Sequence, residues 1–203
     1  MKLFISLMFL VGYVTLAGCS STRVDTSWKL ADYKVPAQAR ALVIAVAPKA
    51  EARRAFETRL ASDLEARGIV ALPSFLLVND ATQVSKDKLR PVLVQNNIQV
   101  VIISSVKAIE SSQTYQPPQA VGPQDNLYRN FDTYQVYSSS GQHETGTYNK
   151  HIEYILETNL FDTGSEKLSW SITTRSSESN SLKTRIDNLV NTLIKQGEKD
   201  GVF

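Results

Sequence analysis

Cys19 is the only cysteine in the 203-residue chain, and it stands directly behind a long uncharged segment. A single thiol cannot form an internal disulfide, which leaves it nucleophilic or acceptor chemistry. His143 and His151 are the only histidines, and no Cys, Asp or Glu lies at ligand spacing around them, so they suggest no metal site. The chain has no G-x-S-x-G elbow, no phosphate-cradling G-x-x-x-x-G-K loop and no G-x-G-x-x-G turn. Asp162-Thr163-Gly164-Ser165 is the one short run with catalytic potential. Acid–base hydrolysis by carboxylates needs a pair about 3 Å apart sharing a proton, and only one such run is present. Asp, Gly and Ser also suit a hairpin turn, and the charged Glu166-Lys167 that follows favours that reading. These residues call for no cofactor, no metal and no enzymatic activity.

The surroundings of Cys19 are more specific. Lys2 precedes an uncharged apolar run from Leu3 to Leu16 (LFISLMFLVGYVTL). As a helix those fourteen residues, at about 1.5 Å each, span about 21 Å, short of a hydrocarbon core of about 30 Å. The run reads as the apolar stretch of a signal peptide. Leu16-Ala17-Gly18-Cys19 resembles the lipobox of bacterial lipoproteins. The resemblance implies cleavage between Gly18 and Cys19, a diacylglycerol thioether on Cys19, and acylation of the freed amino group. Two or three chains, at about 0.8 kcal/mol per buried CH₂, anchor a protein stably where one does not. Ser20 and Ser21, in place of Asp, imply by the same resemblance sorting to the outer membrane, facing the periplasm, with the inner membrane as the alternative. The run at Asp162 likewise resembles the aspartic protease signature, whose dyad only a homodimer could complete here.

Residues 1–18 are thus a signal peptide, and the mature chain of 185 residues holds 21 basic and 20 acidic side chains. Near neutrality excludes the field needed to hold nucleic acid. Residues 19–40 show neither helical nor strand period and read as a lipidated cysteine and tether, with Trp28 and Tyr33 packing on the domain edge. The domain spans 41–198. Ala41–Ala47 is a continuous apolar strand stopped by Pro48, and Glu51–Arg67 is an amphipathic helix with Ala52, Phe56, Leu60 and Leu64 inward. Arg53, Arg54, Glu57, Arg59 and Glu65 fall on its other faces and read as solvated. Gly68 ends it, and a strand follows from Ile69, with an extension through Phe75–Leu77 open. Leu89, Val92 and Leu93 mark a second helix from about Ser85, either kinked at Pro91 or starting nearer to it. A third strand covers Ile98–Ile109. His151–Asp162 and Lys167–Arg175 form a hairpin, and Leu182–Ile194 a last helix, with Ser179–Ser181 at its start and Gly197 at its end.

The fold class expected is α/β, on the border with α+β: a mixed five-stranded sheet with three helices, in the order βαβα, β, long loop, β-hairpin, α. The long loop is a polar, tyrosine-rich excursion over 111–150, which holds five of the eight tyrosines. Its Tyr128, Phe131, Tyr134 and Tyr137 are the candidate contacts to a protein partner in the envelope, set against a plain surface loop. In element order, residues 41–198 resemble the anticodon-binding-like α/β domain of several bacterial envelope lipoproteins. That resemblance implies a non-catalytic binding or accessory module of the cell envelope. A subunit of a lipoprotein secretion pore, as in the curli system, is the alternative, and a dimeric aspartic protease the third reading.

Overall fold

Ala41 to Ala45 are buried on both faces, as an unbroken aliphatic run requires, and their strand is the hub of the sheet. The computed structural model describes residues 22–78, 86–116, 147–178 and 181–203. Its elements are β1 (Thr22–Lys29), β2 (Arg40–Val46), α1 (Ala50–Glu65), β3 (Val70–Pro73), α2 (Lys86–Gln95), β4 (Val100–Gln116), β5 (Thr147–Asp162), β6 (Lys167–Ser177) and α3 (Leu182–Lys199). Three α-helices among the described residues pack on a six-stranded sheet of order β1-β6-β5-β4-β2-β3. β2 pairs in parallel with β3 and β4, and every other pair is antiparallel, so the sheet is mixed.

The two parallel crossovers move in opposite senses, from β2 out to β3 and from β3 back past β2 to β4. Right-handed connections then require α1 and α2 on opposite faces. The core divides that way. Phe56, Leu60 and Leu64 of α1 and Ile186, Leu189, Val190 and Leu193 of α3 pack with Val43, Ile102, Leu160, Trp170 and Ile172 on one face. Leu89 and Leu93 of α2 pack with Leu42, Ile44, Ile98 and Val101 on the other.

Each helix stops in the same way. Gly68, Asn97 and Gly201 take left-handed φ values of 79°, 51° and 68°. The next residue, Ile69, Ile98 or Val202, sends its N–H back to the carbonyl of Leu64, Leu93 or Gly197 and buries its side chain. Local stop signals thus set where the crossovers turn. Gly197, expected to end α3, lies inside it, where a Cβ would collide with the Phe203 ring, and Gly201 is the left-handed residue instead.

Other expectations need correction. The sheet has six strands rather than five, because Thr22–Lys29, read as tether, pairs with β6. A register shift between Val24 and Thr26 breaks the inward–outward alternation that would have marked this edge strand. Trp28 lies on it, 49% exposed. Next, β4 and β5 run on into the excursion, so 111–116 and 147–150 are strand, not loop. The extension left open past Pro73 does not form: the second parallel strand stops at Pro73 and gives way to a single 3₁₀ turn at Ser74–Leu76. Pro91 sits inside α2, which begins at Lys86.

The α1 face read as solvated is partly buried: Arg53 is 7% exposed and Glu57 fully buried. Glu57 Oε1 accepts from the Ala45 amide (2.9 Å), Arg53 Nε (3.0 Å) and the Ser74 hydroxyl (2.7 Å), and its Oε2 accepts from the Phe75 amide (2.8 Å). Arg53 also donates to Ser74 Oγ (2.9 Å) and to the Val78 carbonyl (2.8 Å). One carboxylate thereby ties α1 to the ends of β2 and β3. With its donors satisfied, the buried charge is held where an unpaired one would be expelled.

At the opposite end of the sheet Tyr33, expected on the domain edge, is partly buried and packs against the core. Its hydroxyl is shut off from solvent and meets no partner in hydrogen-bond geometry, although Ser169 lies close enough to soften the effect of burial. Burial first, then the Asp162 charge, push its pKa up to about 12. The unfolded chain ionises this phenol near pH 10, so the stability from keeping it neutral is intact below about pH 10 and lost between there and about pH 12. Tyr33→Phe should therefore flatten the fall in melting temperature between about pH 10 and about pH 12. An unchanged alkaline profile would show that this phenol contributes nothing to it.

Candidate functional site

β2 ends where Pro48 forbids further ladder hydrogen bonds, and α1 starts two residues later. On the same side of the sheet α3 starts at Ser181, whose hydroxyl accepts from the Thr184 amide. The two helices run side by side, joined by Arg59 to Asp187 (2.9 Å) and Arg67 to Glu198 (2.6 Å). The charge on Arg59 is reinforced mainly by its hydrogen bond to Asp63, and the Asp187 carboxyl is held below the usual carboxylate range mainly by its hydrogen bond to Lys183. On the N-terminal side of these bridges the helices leave the sheet uncovered. A groove of about 610 Å³ opens there.

Its walls are Phe56 and Ala52 of α1 and Leu182, Ile186 and Leu189 of α3, and its floor includes Ser104, Val106, Ile109, Tyr154, Leu156 and Ser176. The floor serines are engaged, Ser104 accepting from Thr158 (3.0 Å) and Ser176 from Thr22 (3.1 Å). At the rim Tyr154 donates to Glu178 (2.9 Å), and the Arg185 guanidinium lies 5.2 Å from the Tyr154 ring centroid. Lys49 and Glu51 add one charge of each sign. The arrangement offers apolar contact area inside and polar orientation at the edge, the usual composition of a binding cleft.

The groove floor continues outward. Beyond Ser105 no β2 residue pairs with β4, and beyond Glu153 the β5 edge takes one more backbone hydrogen bond, from the Glu178 amide to the Ile152 carbonyl, so 112–116 and 147–151 project past it as a two-stranded ribbon. Ile109, Tyr154, Ile152, Tyr115 and Tyr148 share the groove's face of it. The Tyr115 and Tyr148 rings lie 5.0 Å apart near its end. The other face carries a cross-strand ladder in which Arg175 bridges Asp25 (3.1 Å), Glu153 (3.2 Å) and Glu110. The hydrogen bond to Glu110, first among these, raises the Arg175 pKa further above its ordinary value.

Asp162 stands apart from all this, next to Tyr33. Its Oδ1 accepts from the Ser165 amide and hydroxyl, both at 2.7 Å, which makes it a turn residue of the β5–β6 hairpin. His151 is exposed on the ribbon, 3.8 Å from Glu153. Among the described residues no group of three or more His, Cys, Asp or Glu could hold a metal ion. Gly18, Cys19, Tyr128, Phe131, Tyr134, Tyr137 and His143 lie outside the described residues.

The groove was missed in the sequence, although a signal exists. The inner faces of β4 and β6 change from Val100, Ile102, Trp170 and Ile172 to Ser104, Thr174 and Ser176 toward the ribbon end. Small hydroxyl side chains there leave depth that aliphatic ones would fill.

No family model matches the chain, and no curated protein matches it in sequence. Among solved structures it is similar to a PelC dodecamer from Paraburkholderia phytofirmans, at 14% identity over 83% of this chain and 94% of that one, with a TM-score of 0.43. It is also similar to the lipoprotein GNA1162 from Neisseria meningitidis, at 14% identity over 79% of this chain and 99% of that one, with a TM-score of 0.45. Among the described residues no helix is long and apolar enough to cross a membrane.

Proposed function

We propose that the protein is a lipid-anchored, non-catalytic module of the bacterial cell envelope, held by acyl chains on Cys19 and presenting its groove to a partner in the periplasm. The observation that carries this reading is Leu16-Ala17-Gly18-Cys19 directly after a short apolar run, with the folded domain beginning three residues later at Thr22. Ser20 and Ser21 favour the outer membrane, by resemblance to lipoprotein sorting. The candidate partner contacts Tyr128, Phe131, Tyr134 and Tyr137 belong to the segment that leaves and re-enters at the ribbon's end.

A pore subunit is the second reading, favoured by the length of β4 and β5, which exceeds the roughly 9–11 residues of a barrel strand. The ribbon's faces speak against it. One carries Glu110, Ser112, His151 and Glu153, and the other places Gln113 and Lys150 between its isoleucines and tyrosines, so neither offers an apolar outward band.

Intact mass of the purified mature protein should show acyl chains on an N-terminal Cys19, and Cys19→Ala should move the protein from the membrane to the soluble periplasmic fraction. Recovery of the unsubstituted protein as a soluble, unacylated species would overturn the anchor.

A further inference from the structure

Cys19 precedes Thr22 by three residues, and an extended chain covers at most about 3.6 Å per residue, so an acylated Cys19 holds Thr22 within about 11 Å of the bilayer. Thr22 pairs with Ser176, Ser176 with Tyr154, and Tyr154 with Ile109, so all four lie in one row across the sheet. β1 runs away from that row toward Lys29, antiparallel to β6, so the chain from Cys19 arrives from the ribbon's side. From the same row the ribbon extends six more residues per strand, to Tyr115 and Tyr148, or about 20 Å at roughly 3.3 Å each. The ribbon therefore outreaches the tether. An upright sheet drives its end into the headgroups, and a leaning sheet lays the ribbon along them.

We infer that the ribbon is a membrane-contact element whose Ile109–Ile152–Tyr115–Tyr148 face rests in the headgroup region of the leaflet that holds Cys19. The inference rests on the lipid anchor proposed above. The chemistry of the face suits that place. Tyr115 is 50% exposed, Tyr148 68% and Ile109 62%, a large apolar area to leave on a ribbon with no further layer described over it. Tyrosine settles at membrane–water boundaries, since its ring is apolar and its hydroxyl stays hydrated. Lys150, exposed on the same face between Ile152 and Tyr148, can lay its stem along the acyl boundary and carry its ammonium to the phosphates. A two-stranded ribbon alone is marginal in water, whereas one resting on a surface gains a layer. Its unpaired backbone groups find water and phosphate oxygens among the headgroups, which a hydrocarbon core would not provide.

The test uses the full acylated protein in vesicles of phosphatidylethanolamine and phosphatidylglycerol that include lipid brominated on its acyl chains. Tyr148→Trp, combined with Trp28→Phe, places an exposed indole at the ribbon's end, while Trp170 stays buried. Bromination should remove most of the emission added by Tyr148→Trp. It should spare Trp28 in the unsubstituted protein, because Trp28 pairs with Ser171 toward the far end of β1. An acylated, vesicle-bound protein whose new indole is unquenched overturns the ribbon contact and leaves the anchor standing. If cross-links then join the ribbons of two chains, the face belongs to a second copy. A protein whose mass shows no acyl chains overturns the anchor, and the contact falls with it if vesicles also leave the indole unquenched. Quenching without acylation upholds the contact alone.

Discussion

Glu57→Ala should destabilise the domain by about 3–5 kcal/mol, the range for breaking a buried ion pair from one side. The substitution leaves the Arg53 guanidinium enclosed without its carboxylate and removes the acceptor from the Ala45 and Phe75 amides and the Ser74 hydroxyl. Against a total stability of about 5–15 kcal/mol for an ordinary domain, that is a large share. Glu57→Gln keeps the volume and one acceptor oxygen but turns an amide NH₂ toward groups that also donate, so it should fall between alanine and the parent. Urea unfolding should show a lower midpoint with an unchanged slope, the pattern of lost stability without a changed unfolded state. Glu65→Ala, on the exposed side of the same helix, is the comparison. Equal midpoints for Glu57→Ala and Glu65→Ala would mean that the carboxylate does not tie α1 to the sheet.

The second large effect is expected at Trp170, 1% exposed and the largest fully buried side chain of the core. Its indole N–H donates to Asp200 (2.9 Å), and its ring meets Phe203 edge-on with centroids 5.9 Å apart. Phe203 in turn fills the space above Gly197, so one tryptophan seats the whole C-terminal turn. Trp170→Ala should cost about 3–5 kcal/mol, a fall in melting temperature of roughly 6–20 °C for a chain of this size. Trp170→Phe keeps much of the volume and loses the hydrogen bond, so it should cost less. A melting temperature for Trp170→Ala within about 2 °C of the parent, which corresponds to less than about 1 kcal/mol, would show that the core closes over the gap.

The elements legible in the sequence were those with a clean period. β2 announces itself because a strand covered on both faces must be apolar throughout, and α1 and α3 because Phe56–Leu60–Leu64 and Ile186–Leu189–Leu193 recur at helical steps. β1 was hidden by its irregular register, which spoils the alternation within one short strand. The Arg53–Glu57 pair was misread because charges four residues apart look the same on a wet face and beneath Ser74 and Val78. The turn at Asp162 was legible since Asp and Gly carry their geometry with them. The groove was not, because its walls come from segments more than a hundred residues apart in the chain, and only the run of small hydroxyls on the inner faces hints at it.

Thr22 and Ser176, which join β1 to β6, stand 154 positions apart. A chain that emerges with its N-terminus first must hold its earliest strand in reserve until nearly its last one is made, since pairing over such a span comes late. β2, α1, β3, α2 and β4 all precede β6 in the chain, and β2 already has both of its partners, β3 and β4, among them. Through that interval the Thr22–Lys29 strand, three residues beyond Cys19, has no β6 to pair with. If the anchor proposed above holds, cleavage before Cys19 and acylation of its thiol fall within that interval, ahead of the closing of the sheet.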